Sequence, residues 1–427
     1  MKQRGARRGQ PPKERAALVA LASRRSTRDD LDTLFDELAG LTAAAGADVV
    51  LRAAQDRGAA DPATLIGRGK VETVARACEE LGVDLIVFDN DLTPAQARNI
   101  EKACGRRVID RTELILAIFA RRARTREGQL QVELAQLEYR LPRLAGSSEA
   151  LSRLGGGIGT RGPGETKLET DRRRIRHRIA TLRREIADVA RRRGFLRSRR
   201  RRIDVPTVAL VGYTNAGKST LFNRLTGAQA TSSNALFVTL DPLVRRVAAQ
   251  SGAEWLLSDT VGFIDRLPHQ LVAAFHATLE EVAAADVLLH VIDASAPDYR
   301  RQMAAVKAVL EEIGASAVPT IEVYNKVDAL TPDARAGLAA AHPSALCISA
   351  LDAACRDVVI ARLAGALAME GERVRYSLDP DRDRRLVADL YRHARVVSHV
   401  AVGARVLIEA DVPRRLRGRL RADRVPA

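Results

Sequence analysis

"GYTNAGKST", Gly212 to Thr220, sets two glycines around four variable residues and follows the second with a lysine and a hydroxyl side chain. The apolar run "VALV" leads into it and "STLFNRL" leads out, the strand, loop and helix order of a phosphate loop. In such a loop successive backbone N–H groups curl around phosphate oxygens, and the following helix adds the positive end of its dipole. The pattern assigns Gly212, Tyr213, Thr214, Asn215, Ala216 and Gly217 to the phosphate cradle, with Thr220 closing it. Lys218 reaches the β- and γ-phosphates, and the Ser219 hydroxyl ligates Mg²⁺.

Three further motifs follow in order. "LLSDTVG" ends an apolar strand on Asp259, a carboxylate suited to hold magnesium through water, and continues through Thr260 and Val261 to Gly262, whose N–H can meet the γ-phosphate. Between the two motifs, "NALFVTLDPLVRR" carries Phe237, Val238 and Thr239. The Thr239 hydroxyl is positioned as a second magnesium ligand that a triphosphate holds and hydrolysis releases. "NKVD", Asn325, Lys326, Val327 and Asp328, follows the apolar strand "TIEVY". A carboxylate accepts two hydrogen bonds from the adjacent N–H groups of a guanine edge, which adenine does not offer, so Asp328 selects guanine. Asn325 braces the base and the loops, and the Lys326 stem covers the ring. In "CISAL", Ser349 and Ala350 can offer a backbone N–H to the guanine oxygen. The substrate is therefore GTP and the product GDP, with Lys218, Thr239 and Gly262 as the catalytic set. Where a glutamine would orient the attacking water stands Phe263, which has no hydrogen-bonding side chain, so hydrolysis by the isolated chain is expected to be slow.

Strand and helix patterns alternate from Val205 to about residue 369, which predicts a doubly wound, mainly parallel α/β GTPase domain over 205–369. An earlier alternation, "AALVALAS" to "TPAQARNIEKACG", predicts an N-terminal α/β subdomain over 14–125, behind a basic arm over 1–13. In it "IGRGK" lacks phosphate-loop spacing and reads as a turn with Lys70 at a helix start. Between the two domains the period changes. Leu130, Leu134, Leu137, Leu141 and Leu144 recur at steps of four and three, as do Ile175, Ile179, Leu182, Ile186 and Val189. Two such seams predict an antiparallel helical hairpin with a glycine-rich loop and basic linker over 126–204, Pro142 ending or kinking its first helix. The loop carries Arg153, Arg161 and Lys167, a basic tip suited either to folded RNA or to a plain connection. Residues 370–427 read as a small C-terminal α+β domain with one helix from about Arg382 to Ala394.

The net charge of +16 is unevenly spread. From Asp171 to Arg202, fifteen arginines and three acidic residues leave +12, and a segment of this kind attracts polyphosphate through counterion release. Four cysteines without metal or C-x-x-C spacing fit reduced thiols in a cytoplasmic protein, and seven scattered histidines give no metal-ligand spacing. No apolar run approaches membrane-spanning length, so membrane insertion is not expected, and a monomer is.

Motifs beyond the nucleotide site, "LIGRGK", "FDNDLTPAQARNIE", "VIDRTELIL", "RRARTREGQLQVELAQLEYRLPRL", "GGIGTRGPGETKLETDRRRI" and "DTVGFIDRLPHQLVAAFHATLEE", resemble the HflX family of translation-associated GTPases, in the Obg-HflX group. The resemblance covers about residues 14 to 350. It implies a factor that binds the large ribosomal subunit and its RNA, splits or rescues stalled ribosomes, and hydrolyses GTP faster when bound there. It carries the nucleotide contacts onto the motif residues named above and accommodates a hydrophobic residue at Phe263. Leu243 and Val244 depart from threonines frequent in the family. Two other readings are open: an RNA-remodelling ATPase, against which "NKVD" argues, and a membrane-associated GTPase docked by arginines, for which no amphipathic anchor is present. In several glutamine-less GTPases the counterpart of Asn215 helps hold a potassium ion at the phosphates. The expected outcome is faster GTP hydrolysis in potassium chloride than in sodium chloride, and equal rates would remove the ion from the mechanism.

Overall fold

The structure, a computed structural model, describes residues 13–22, 27–144, 163–203, 205–228, 236, 237, 239, 243–248, 254–265, 276–367 and 371–413. These group into two units: residues up to 196 with 236, 237, 239, 265, 276 and 277, and the remainder. Arg153 and Arg161 of the glycine-rich loop, the basic arm up to residue 12 and Val238 lie outside the described residues.

The first unit is built on β1 (Arg15–Ala22), whose Ala16 to Ala20 are wholly buried. A strand covered on both faces needs an unbroken apolar run, and "AALVA" supplies it. β1 pairs in parallel with β2 (Asp48–Asp56) and with β3 (Leu85–Phe88), and β4 (Arg107–Asp110) extends the sheet to the order β2-β1-β3-β4. Four helices make the connections: α1 (Arg28–Ala45), α2 (Arg68–Glu80), α3 (Pro94–Cys104) and α4 (Arg111–Arg122). Thr27 with Asp30 and Thr93 with Gln96 form capping boxes at α1 and α3, which satisfy the first free N–H groups of each helix. Lys70 is the third residue of α2.

α5 (Arg126–Leu144) and α6 (Pro163–Ile203) carry the two seams. Leu130, Leu134, Ile179 and Leu182 are buried against one another, with Leu137, Leu141, Ile175 and Ile186 around them. Pro142 lies inside α5, two residues before its last residue, where one backbone hydrogen bond is lost. α6 begins at Pro163 and so includes Lys167, which the sequence reading placed in the loop; proline at a helix start lacks only an N–H that would be unpaired anyway.

One buried carboxylate ties this unit together. Asp110 caps α4 by accepting from the Glu113 N–H at 2.9 Å, and it also accepts from the Tyr139 hydroxyl at 2.7 Å and the Arg143 guanidinium at 2.8 Å, both on α5. Arg143 lies over the Tyr139 ring, 3.4 Å from its centroid. Next to it Arg111 is buried between Asp89, at 2.8 Å, and Glu37.

In the second unit a six-stranded sheet runs in the order β10-β9-β8-β5-β7-β6. β5 (Thr207–Val211), β7 (Glu254–Asp259), β8 (Val287–Asp293), β9 (Thr320–Asn325) and β10 (Leu346–Cys347) are parallel, and β6 (Leu243–Ala248) is an antiparallel edge. The helices are α7 (Lys218–Thr226), α8 (His276–Ala283, in this unit from Thr278 on), α9 (Tyr299–Glu312), α10 (Pro332–Ala341) and α11 (Cys355–Ala366). Leu210, Phe222, Trp255, Leu289, Val323 and Leu363 fill the core under α7 and α11. Parallel strands end at one edge of the sheet, so Val211, Asp259, Asp293, Asn325 and Cys347 all deliver their following loops there.

A three-stranded antiparallel sheet completes the chain: β11 (Gly371–Leu378), β12 (Arg395–Val402) and β13 (Arg405–Pro413), in the order β11-β13-β12, with α12 (Arg384–His393) over one face. Neither β6 nor β11 is expected from the sequence. Among the described residues no helix is long and apolar enough to cross a membrane.

Asp110→Ala would leave the Arg143 guanidinium and the Tyr139 hydroxyl without their buried acceptor. The first unit is expected to lose about 3 kcal/mol of stability, read as faster hydrogen exchange of the β1 and β3 amides with those of β5 and β8 unchanged.

Candidate guanine-nucleotide site

The loop after β5 turns back through residues whose conformations are demanding. Asn215 and Gly217 both have positive φ, 61° and 95°. A Cβ on Gly217 would stand 2.2 Å from the Asn325 amide nitrogen, so a side chain there is excluded by contact as well as by backbone angle. Lys218 is buried, and its ammonium donates to the carbonyls of Gly212 at 3.0 Å and Tyr213 at 2.7 Å. Burial pushes its pKa down to about 8 against the opposing pull of the Asp259 carboxylate. Ser219 donates its hydroxyl to Asp259 at 2.7 Å, which joins the first turn of α7 to the end of β7.

The loop after Asp259 is laced to the phosphate loop. Thr214 N–H donates to the Phe263 carbonyl at 2.7 Å and Phe263 N–H donates to the Gly212 carbonyl at 3.1 Å, a one-residue parallel bridge between Tyr213 and Phe263. Phe263 is buried, 2% exposed. Thr260 turns inward and donates to the Leu210 carbonyl at 2.6 Å, and Val261 is buried beside it. Gly262 sits so close to the loop that a Cβ would fall 2.9 Å from the Lys218 ammonium and from the Thr214 Cα.

Asn325, 2% exposed, ends β9 and spans two loops. Its Nδ2 donates to the Ala216 carbonyl and its Oδ1 accepts the Ala350 N–H, each at 2.8 Å. Of the backbone N–H groups of Ser349 and Ala350 that the sequence offers to the guanine oxygen, that of Ala350 is bonded to Asn325. Lys326 follows with a left-handed φ of 62° and pairs with Asp293 at 2.6 Å. Val327 and Asp328 occupy a single 3₁₀ turn, Val327 buried and the Asp328 carboxylate exposed. Ser349 is half-buried and accepts from the Leu351 N–H at 3.4 Å.

The second unit thus brings together Gly212 to Thr220, Asp259 to Phe263, Asn325 to Asp328, Ser349 and Ala350. Phe237 and Thr239 belong to the first unit, where Phe237 meets Phe119 edge-on with ring centroids 4.6 Å apart. Sequence reasoning missed Asp293, which ends the strand "HVID" as Asp259 ends "LLSD", so strand-end acidity was the available signal. It also missed Arg224, whose guanidinium bonds the carbonyls of Ala350 at 3.3 Å and Leu351 at 2.7 Å. His290, buried within β8, is held down to about 4 mainly by burial, with Lys307 and Lys218 adding to the shift.

An exposed carboxylate on a turn beside a phosphate loop is the arrangement for a guanine nucleotide, and Ser219 with Asp259 supplies the hard oxygen donors that Mg²⁺ prefers. Residues 32–120 match a family profile described as GTP-binding GTPase N-terminal, 122–200 one described as GTP-binding GTPase Middle Region, and 207–326 one described as 50S ribosome-binding GTPase. The chain is 52% identical over 318 residues to GTPase HflX of Caldanaerobacter subterraneus subsp. tengcongensis, covering 74% of this chain and 73% of that protein. To GTPase HflX of Escherichia coli it is 50% identical over 301 residues, 70% of each. Among solved structures, a GTP-binding protein from Sulfolobus solfataricus in complex with GDP is 25% identical, with a TM-score of 0.43, covering 83% of this chain and 99% of that one.

Asn325→Ala removes both loop contacts and is expected to weaken GDP binding by about 2–3 kcal/mol, roughly 30- to 150-fold. Titration calorimetry reads this directly, and an unchanged affinity would show that the loops are set by other contacts.

Proposed function

The chain belongs to the HflX family of GTPases, and on that premise we propose that it is a GTP-controlled factor of the large ribosomal subunit whose hydrolysis is accelerated there. The observation that supports the ribosomal partner is the surface of α6. Arg173, Arg174, Arg176, Arg183, Arg184, Arg191 and Arg192 are exposed along it, while Ile179 and Leu182 are buried in its seam with α5. An arginine-covered helix on a fixed hairpin is suited to phosphate backbones, and ribosomal RNA offers them in quantity.

At the nucleotide, Asp328 accepts from the guanine edge, Lys326 covers the ring from its pairing with Asp293, and the loop N–H groups with Lys218 receive the phosphates. Ser219 and Asp259 would hold Mg²⁺, and the Thr239 hydroxyl, read from the sequence, would be a further ligand for it in the triphosphate state. Bound there, the ion neutralises charge on the phosphate oxygens. Gly262 offers its N–H to the γ-phosphate from a loop already bonded to the phosphate loop through Phe263. No side chain at position 263 orients the water, so the missing group comes with the partner, and groups supplied in this way accelerate hydrolysis by roughly 10³ to 10⁵. Binding in the GTP state and release after hydrolysis account for subunit splitting or rescue of stalled ribosomes.

Purified large subunits are expected to raise the GTP hydrolysis rate at least about tenfold and to sediment with the chain in a strongly salt-dependent way. Replacing Arg173, Arg174 and Arg176 by glutamine should weaken that binding and flatten its salt dependence by about one unit of slope per lost phosphate contact. Large subunits that alter neither hydrolysis nor sedimentation would overturn the proposal, and ATP hydrolysis that survives Lys218→Ala would favour an RNA-remodelling ATPase.

A further inference from the structure

The turn that follows β10 has little sheet to hold it. β10 contributes two residue pairs to β9, Leu346 with Val323 and Cys347 with Tyr324, and the chain then leaves the sheet edge. Within the turn Ala350 is 3% exposed, whereas Leu351 is 71% exposed and packs nothing down. Asn325 holds it on one side through the Ala350 N–H. On the other side stands Arg224, six residues after Lys218 on the same nine-residue helix, α7. Its Nε donates to the Ala350 carbonyl at 3.3 Å and its Nη2 to the Leu351 carbonyl at 2.7 Å.

The C=O and N–H of a trans peptide point in opposite directions across a rigid plane. A guanidinium that grips two consecutive carbonyls therefore fixes two peptide planes, and their N–H groups face away from it. The Asp352 N–H is taken up by the Ser349 carbonyl at 3.0 Å. The Leu351 N–H has only the Ser349 hydroxyl, at 3.4 Å, a weak bond that a better acceptor can replace. Arginine suits this task because its fork presents two donors in fixed geometry, which a lysine ammonium does not.

We propose that Arg224 is a positioning residue for guanine recognition: from the helix that begins at the phosphate loop it grips the carbonyls of Ala350 and Leu351 and so aims the Leu351 N–H at the 6-oxygen of the base. The proposal rests on the guanine site described under Proposed function. It makes α7 a single short rod that carries the phosphate ligands Lys218 and Ser219 at one end and the hold on the base loop at the other.

The test is competition of GDP and of 2-aminopurine riboside diphosphate, which lacks the 6-oxygen, against a fluorescent GDP analogue, on wild-type chain, Arg224→Ala and Arg224→Lys. Arg224→Ala is expected to bind GDP about tenfold more weakly, the lower end of what a charge-assisted hydrogen bond contributes. The 2-aminopurine nucleotide should lose less than about twofold, and the hydrolysis rate at saturating GTP should stay within about twofold, the split expected when only binding is affected. Arg224→Lys, which keeps one carbonyl contact, should fall between, and it carries the test if thermal melting shows that the alanine variant does not fold. Equal losses for both nucleotides, or no loss for GDP, would overturn the positioning role. A wild-type chain that does not prefer GDP to the 2-aminopurine nucleotide would instead overturn the guanine site itself, and Arg224 with it.

Discussion

The buried carboxamide of Asn325 sets the spacing on which the nucleotide site depends. It stands between the phosphate loop and the base loop, giving a hydrogen to Ala216 and taking one from Ala350 at the same 2.8 Å. An amide tip offers a donor and an acceptor on two separate atoms; aspartate would lose the bond to Ala216, lysine the bond from Ala350, and glutamine would add a methylene to a gap already closed. Gly217 is part of the same constraint, since any side chain there would occupy the place of the Asn325 nitrogen. One interaction thus accounts for two motif positions 108 residues apart in the chain, at 217 and 325.

The parallel sheet makes this possible. β5 and β9 are not neighbours; β8 lies between them, with Val211 paired to His290 and Asp293 paired to Asn325. Because the three strands share a direction, their following loops emerge together, and side chains of ordinary length span them. His290 lies in the middle of β8 between Leu289 and Val291, and burial pushes its pKa down to about 4.

What the sequence disclosed and what it hid follow from the same physics. The phosphate loop, Asp259 and Asn325 to Asp328 were legible because their chemistry needs particular residue types at fixed intervals. The α5–α6 seam was legible because a helix repeats every 3.6 residues and its apolar face must be covered. β6 was hidden because its "LVRRVA" is an edge strand, and Arg245 and Arg246 on its exposed positions interrupt the apolar run. β11 does alternate, with Val374, Tyr376 and Leu378 buried and Arg373 and Arg375 paired outward to Asp411 and Glu409, but it opens on Gly371, Glu372 and Arg373, a glycine and two charges. Arg224 and Asp293 were hidden for another reason. Each acts on a segment far away in sequence: Arg224 looks like an ordinary polar residue of a helix surface, and for Asp293 the place at a strand end is the one local signal.

Phe263 joins the fold to the chemistry. Its backbone pairs with Gly212 and Thr214 and its ring is buried, so the loop that carries Gly262 is held against the phosphate loop. A glutamine in the same place would either bury a carboxamide without partners, at roughly 2 kcal/mol or more, or turn outward and give up the apolar packing beneath it. The residue that would orient water and the residue that locks the two loops together are therefore alternatives at one position. This chain has the lock. Its two loops are organised by backbone bonds that need no nucleotide, and position 263 contributes packing and not a hydrogen-bonding side chain to the site.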